Sequence, residues 1–116
     1  MLYPFKKLYK PEFFQGHRRL GRPSRYFEGW YFKVVFPDIC FAVIPGLSLA
    51  AEDAHGFIQV LGGDSNSSSY HRFEPGEFSC DRKRFEIILW NNRFSLRGFD
   101  VDLENFSAHL RIEDVV

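Results

Sequence analysis

From Tyr26 onward the apolar positions of this chain repeat with a period of two, broken every few residues by turn signals. Phe32, Val34 and Phe36 alternate with Lys33 and Val35 up to a Pro37-Asp38 turn, which predicts a half-buried strand. Ile39 to Ile44 is a near-continuous apolar run, read as a strand covered on both faces and closed by Pro45-Gly46. Gly56 to Leu61 is a further short strand, and it empties into the polar loop Gly62 to Ser69. Tyr70 to Phe73 precedes Glu74-Pro75-Gly76-Glu77, a sequence that fits a type II turn. Arg84 to Trp90 and Arg93 to Arg97 flank Asn91-Asn92, a pair suited to the left-handed backbone of a tight hairpin.

Further on, the apolar parity itself changes. Phe94 and Leu96 are even-numbered, whereas Phe99, Val101 and Leu103 are odd-numbered. A shift of one at the Arg97-Gly98 step predicts a β-bulge. Phe106, Ala108, Leu110 and Ile112 then form a long alternating strand, joined to its predecessor by a two-residue Glu104-Asn105 turn. Seven or eight short strands in meander order, without helical periodicity, predict an all-β fold: an antiparallel meander forming a barrel or strongly coiled sheet.

Composition supports that reading. Fourteen Phe, five Tyr and two Trp make 18% of the 116 residues, and wide rings pack well on pleated surfaces. The length suits one domain, residues 26–116, preceded by an arm, residues 1–25. Fifteen basic and fifteen acidic groups give a net charge of zero, which argues against a dedicated nucleic-acid binder. The charge is unevenly placed. Residues 1–25 carry seven basic groups and one acid, so the arm is +6 and the remainder −6. Pro4, Pro11, Gly16, Gly21 and Pro23 punctuate the arm too often for a long helix, so it is read as extended. It would lie over its own acidic domain or meet anionic lipid peripherally, with Tyr3, Phe5, Phe13 and Phe14 at the interface.

No signal-peptide core and no membrane-spanning run is present, and Cys40 and Cys80 form no CxxC pair, so a cytoplasmic protein with free thiols is expected. Nucleotide motifs, zinc spacings and a serine elbow are all absent. Asp64 to Pro75 fails as a calcium loop because it lacks the turn glycine and the terminal glutamate. No metal is expected. The strong strand before Asp114-Val115-Val116 has no capping element, which predicts an incomplete meander whose open edge, Leu110 to Val116, pairs with another copy of the chain.

The densest chemistry lies in Tyr26-Phe27-Glu28-Gly29-Trp30-Tyr31-Phe32-Lys33. Here the sequence resembles the tocopherol cyclase family, whose members share a closely similar Phe-Glu-Gly-Trp-Tyr-Phe-Lys block near the N-terminus. Pro11, Phe14, Gly16 and His17 upstream, Phe36-Pro37 and the Phe41-Ala42-Val43-Ile44 strand agree with it. The resemblance implies a lipocalin-like β fold of two barrel-type halves, of which this chain would be the N-terminal part. Plant and cyanobacterial members close the chromanol ring of vitamin E by adding a quinol hydroxyl across a prenyl double bond.

That reaction needs a strong acid and a dry pocket with ring faces around the developing cation, and no cofactor. A carboxyl kept neutral by apolar surroundings would serve. Glu28 is the candidate acid, His71 the second candidate, with His17 and His55 as further proton carriers; Trp30, Tyr31, Phe32 and Phe41 are the candidate ligand contacts. The competing account makes Trp30 a barrel-floor plug, Gly29 a bend, and Glu28 an ion-pair partner of Arg25 or Arg111. The favoured expectation is a non-catalytic lipocalin-like module binding a lipid or prenylquinone. A fragment or subunit of a prenylquinol cyclase is the alternative.

Overall fold

In a computed structural model, which describes residues 2–4, 26–49, 53–63, 67–81 and 83–112, the chain is all-β. Among the described residues two antiparallel sheets form, and neither closes into a barrel. The first sheet contains β1 (Leu2–Pro4), β2 (Tyr26–Gly29), β3 (Phe32–Val35), β4 (Cys40–Leu49), β5 (His55–Gly62) and β6 (Ser68–Phe73). Its order is β1-β3-β4-β5-β6, with β2 also pairing β4. The second sheet is a plain meander of β7 (Phe78–Cys80), β8 (Glu86–Leu89), β9 (Asn92–Ser95), β10 (Gly98–Leu103) and β11 (Phe106–Arg111). No helix among the described residues is long and apolar enough to cross a membrane.

β2 and β3 are two halves of one ladder against β4. Register is unchanged across the gap, with Gly29 opposite Gly46 on one side and Phe32 opposite Val43 on the other. The gap at Trp30-Tyr31 lies across from Pro45, which has no N–H to donate. Trp30 N–H still donates to the Pro45 carbonyl at 3.0 Å, so one of the two expected bonds survives. Pro45-Gly46 therefore does not close the strand, contrary to the sequence expectation. β4 runs on to Leu49 because β5 pairs with it along its length.

Apolar residues from both sheets make one core, including Trp30, Phe32, Val43, Leu47 and Ile58 from the first and Ile87, Leu89, Phe94, Phe99 and Val101 from the second. At one end of β5, a Cβ on Gly56 would lie 2.5 Å from Leu89 Cδ2 and 3.5 Å from Phe78 Cβ. At the other end Phe41, opposite Gly62, packs edge-on against Phe106 with ring centres 5.3 Å apart. Travelling along β5 thus means crossing the second sheet from β7-β8 to β11, so the strands of the two layers cross steeply.

Three turns differ from expectation. The Arg97-Gly98 parity shift is a two-residue hairpin, Leu96-Arg97, with Ser95 opposite Gly98, and not a bulge. Gly98 has φ +130°, and a Cβ there would collide with the Leu110 carbonyl, so only glycine fits. The β8–β9 turn is centred on Trp90-Asn91, and the left-handed residue is Trp90 (φ 57°). Glu74 to Glu77 forms a single 3₁₀ turn: the Glu77 N–H donates to the Glu74 carbonyl at 2.8 Å, as it would in a type II turn, but Gly76 lies outside the left-handed region that type II requires. The Glu104-Asn105 hairpin forms as read.

Of the 1–25 arm, Leu2–Pro4 falls within the described residues and pairs antiparallel with β3. The rest of the arm, the centre of the 62–69 loop and residues 113–116 lie outside them.

Candidate functional site

Strand parity divides the aromatic block between two environments. Even residues Glu28, Trp30, Phe32 and Val34 turn to the core and are buried. Odd residues turn to the opposite face of the sheet, where Phe27 is 68% exposed.

On that outer face three rings stand in a row across β2, β5 and β6. Phe27 and Phe57 stack with centres 5.3 Å apart at 15°, and Phe57 and Tyr70 stack at 5.3 Å and 13°. Phe57, the middle ring, is only 1% exposed although it sits outside the core. Glycine makes this possible. Gly46 lies directly across from Phe57, and a Cβ on it would collide with that ring and come within 2.5 Å of the Glu28 carbonyl. Gly29, the next position across, would bring its own Cβ to 3.4 Å from Phe57 Cζ. The ring therefore covers a side-chain-free floor, the usual way an aromatic compensates a strand glycine.

The far end of the row is polar. Tyr70 Oη lies 2.8 Å from Nε2 of His55, and His55 Nδ1 lies 2.8 Å from the backbone carbonyl of Asp53. A carbonyl only accepts, so Nδ1 carries the hydrogen and Nε2 accepts from the Tyr70 hydroxyl. Partial burial pushes the Tyr70 phenol above its ordinary value; Arg72 opposes this and Asp53 adds to it. The phenol thus remains protonated and donates to His55 at neutral pH. Asp53 in turn is bonded by Arg72, whose guanidinium holds the carboxyl below its usual range.

The candidate acids are placed apart. Glu28 is 5% exposed, on the core face opposite Leu47. Cys80 lies near it: the thiol is pushed up to about 11, mainly by burial and then by Glu28 and Asp81. His71 is half-buried on β6, with Nε2 3.1 Å from Ser69 Oγ. β4 and β5 separate it from the Glu28 strand, about 14 Å at ordinary strand spacing. The structure does not bring the two together. Arg111 approaches Asp100 at 3.9 Å; Arg25 and His17 lie outside the described residues.

Among the candidate ligand contacts, Trp30 and Phe32 are core residues, 2% and 1% exposed, packed against Phe85, Phe94 and Phe99. An aromatic-lined hollow was expected at these positions; they meet other rings. Tyr31 is half-buried between core-facing neighbours, and Phe41 is half-buried against Phe106. A separate concavity of about 170 Å³, lined largely by Ser67, Ser68, Ser69 and Asn105, lies between β6 and the β10–β11 turn. Sequence reading missed Phe27, Phe57 and Tyr70 as a group. Their spacing is uninformative until the β4–β5–β6 register is known.

An all-β protein of two crossed antiparallel sheets, bearing an external aromatic row with a Tyr–His pair, is what fold and site define. Comparison with known proteins found no matching family model, no matching curated protein and no matching solved structure.

Proposed function

We propose that this chain is a tocopherol cyclase-like protein acting as a non-catalytic module that holds a hydrophobic ligand of the lipid or prenylquinone type. The observation that carries this reading is the outer row Phe27–Phe57–Tyr70, two of whose rings are open to solvent while the third is sealed. Such a row offers a ring face for a flat headgroup and an apolar strip for a prenyl chain. Its polar end sets a preference. The Tyr70 hydrogen is committed to His55, so its oxygen is left to accept. A quinol, which donates through its hydroxyl, suits that oxygen better than the oxidised quinone, which only accepts.

Calorimetric titration with a short-chain prenylquinol tests this. Saturable binding is expected, tighter for the quinol than for its quinone and weakened about tenfold by Phe27→Ala or Tyr70→Ala, the scale of one stacked aromatic contact. Absent binding, or affinities unchanged in both variants, would overturn it. Residues 1–25, at net +6, supply the charge for peripheral contact with anionic lipid in a cytoplasmic setting. Co-sedimentation with phosphatidylserine vesicles that is lost above about 0.5 M salt would support that part.

The burial of Glu28 on the core face favours a second reading, a prenylquinol cyclase fragment using Glu28 as its acid. Any cyclase turnover should then vanish in Glu28→Gln, and an unaltered rate would remove Glu28 from the mechanism.

A further inference from the structure

We infer that two copies of this chain join edge to edge through β11, across a two-fold axis at His109, so that two five-stranded sheets become one. The inference is independent of any ligand and rests on backbone parity.

Among the described residues β11 is the last strand of its sheet and pairs with β10 alone. Ile112 N–H donates to the Arg97 carbonyl at 2.9 Å, in the same register as the β10–β11 ladder. Backbone groups alternate in direction along an antiparallel strand. Phe106, Ala108 and Leu110 therefore turn N–H and C=O toward β10, while Ser107, His109 and Arg111 turn theirs away. Among the described residues nothing pairs with those outward groups. No proline, lysine or bulge guards this edge; of the devices that usually keep such a strand from pairing it carries one charged side chain, Arg111, on its exposed face.

A second copy fits the edge better than an arbitrary strand does. With the axis at His109, Ser107 pairs with Arg111 of the second copy, His109 with His109, and Arg111 with Ser107. Every described residue from Phe106 to Ile112 is then paired, and no arginine faces an arginine. On the core side Ala108 meets Leu110 of the second copy and Phe106 meets Ile112, apolar against apolar and small against large. These core-side residues are only half-buried in the single chain, although Phe106, Ala108 and Leu110 pack against its core. A two-fold axis normal to the sheet keeps each face on its own side, so the apolar layer continues from one copy into the next.

β6, the other long edge strand among the described residues, lacks this complementarity. Gly62 N–H donates to the Ser67 carbonyl at 2.9 Å, so Ser68, Tyr70 and Arg72 present the outward backbone there. The same operation about Tyr70 would set Ser69 against His71 on the core side. β7 is three residues long and offers little to pair.

Sedimentation equilibrium of the full chain should give a dimer of the 13.6 kDa subunit. His109→Pro removes an outward N–H that makes no bond within the subunit, so the monomer fold should persist by circular dichroism. Its dimer dissociation constant should rise roughly ten- to hundredfold, the scale of two lost backbone bonds. His109→Cys should form a covalent dimer on mild oxidation, since directly opposed hydrogen-bonded residues have Cα atoms about 5.5 Å apart, within disulfide range. Asp102→Cys, on the exposed side of β10, should not. A wild type that stays monomeric, or a dimer unaffected by His109→Pro, overturns the inference. Should the proline variant fail to fold, a His109→Cys protein that gives no covalent dimer overturns it equally.

Discussion

Phe32 and Phe57 are both 1% exposed, yet they lie on opposite faces of the same sheet and are buried by different means. Phe32 is enclosed by Phe85, Phe94 and Phe99, so its burial depends on the second sheet docking. Phe57 is enclosed from within its own sheet, by Phe27 and Tyr70 on its flanks and the Gly46 floor beneath. One arrangement spends both ring faces on stability. The other leaves the outer faces of Phe27 and Tyr70 available, which is what a binding surface requires. The Phe27 to Phe32 block serves both: its even residues build the core and Phe27 ends the external row.

The comparison breaks most visibly at the two sealed rings. Phe32→Ala should cost about 3–5 kcal/mol, because both sheets line the void and neither collapses fully into it. Phe57→Ala should cost about 2 kcal/mol, since its site opens to water once the ring is gone, and it should abolish prenylquinol binding. Urea denaturation of the two variants measures the difference. Equal losses would mean that the outer face is as much a core as the inner one.

Next in size is the floor. Gly46→Ala should cost about 1–3 kcal/mol, as its Cβ displaces the Phe57 ring and crowds the Glu28 carbonyl. Gly76→Ala is the matched control. Nothing lies within 4 Å of a Cβ there and φ is not left-handed, so it should be neutral or stabilise by about 0.5 kcal/mol. A neutral Gly46→Ala would show that the ring moves aside freely, and would weaken the case for a built row.

What the sequence disclosed follows the same division. Period-two alternation was enough to read an all-β meander and the core side of Phe32 and Val34, because a buried face stamps its parity on a strand. Phe36 and Ile39, read into the same pattern, are 45% and 51% exposed where the chain turns. Parity alone misread Arg97-Gly98. A bulge and a two-residue hairpin both move the apolar set by one, and only the +130° φ of Gly98 and the Ser95–Gly98 pairing separate them. Asn91-Asn92 was read as the turn by residue preference. Instead Asn92 is buried, its Nδ2 donating to the Leu89 carbonyl at 3.0 Å and its Oδ1 accepting from Asp102 N–H at 2.7 Å. Tertiary bonding there leaves the left-handed position to Trp90. The outer row was illegible because Phe27, Phe57 and Tyr70 become neighbours only through the pairing of β4 with β2 and β5, and of β5 with β6. β7 is too short to carry a period.

A smaller change sharpens the polar end of the row. Tyr70→Phe keeps the stack and removes one hydroxyl, leaving Nε2 of a largely buried His55 without its donor. The expected loss is about 1–2 kcal/mol in urea denaturation. The preference for quinol over quinone should disappear while ring binding persists. A retained preference would place the selecting group elsewhere.

The smallest effect is silent at neutral pH and belongs to the inner face. Cys80 packs against the core with its thiol raised from an ordinary 9.0 to about 11, chiefly by burial, with Glu28 and Asp81 opposing the thiolate. Below about pH 9 the thiol is protonated in folded and unfolded chains alike, and its contribution is constant. As pH rises past 9 the unfolded chain releases the proton first, so the folded state loses stability until about pH 11, where both are ionised. The total cannot exceed about 3 kcal/mol for a two-unit shift, and the thiol's partial exposure brings it lower. Cys80→Ala should therefore flatten the alkaline limb of the stability curve relative to wild type without changing the neutral plateau's slope. Superimposable alkaline limbs would mean that water reaches the thiol, and that this margin of the core is as open as the ring ladder on the outer face of the first sheet.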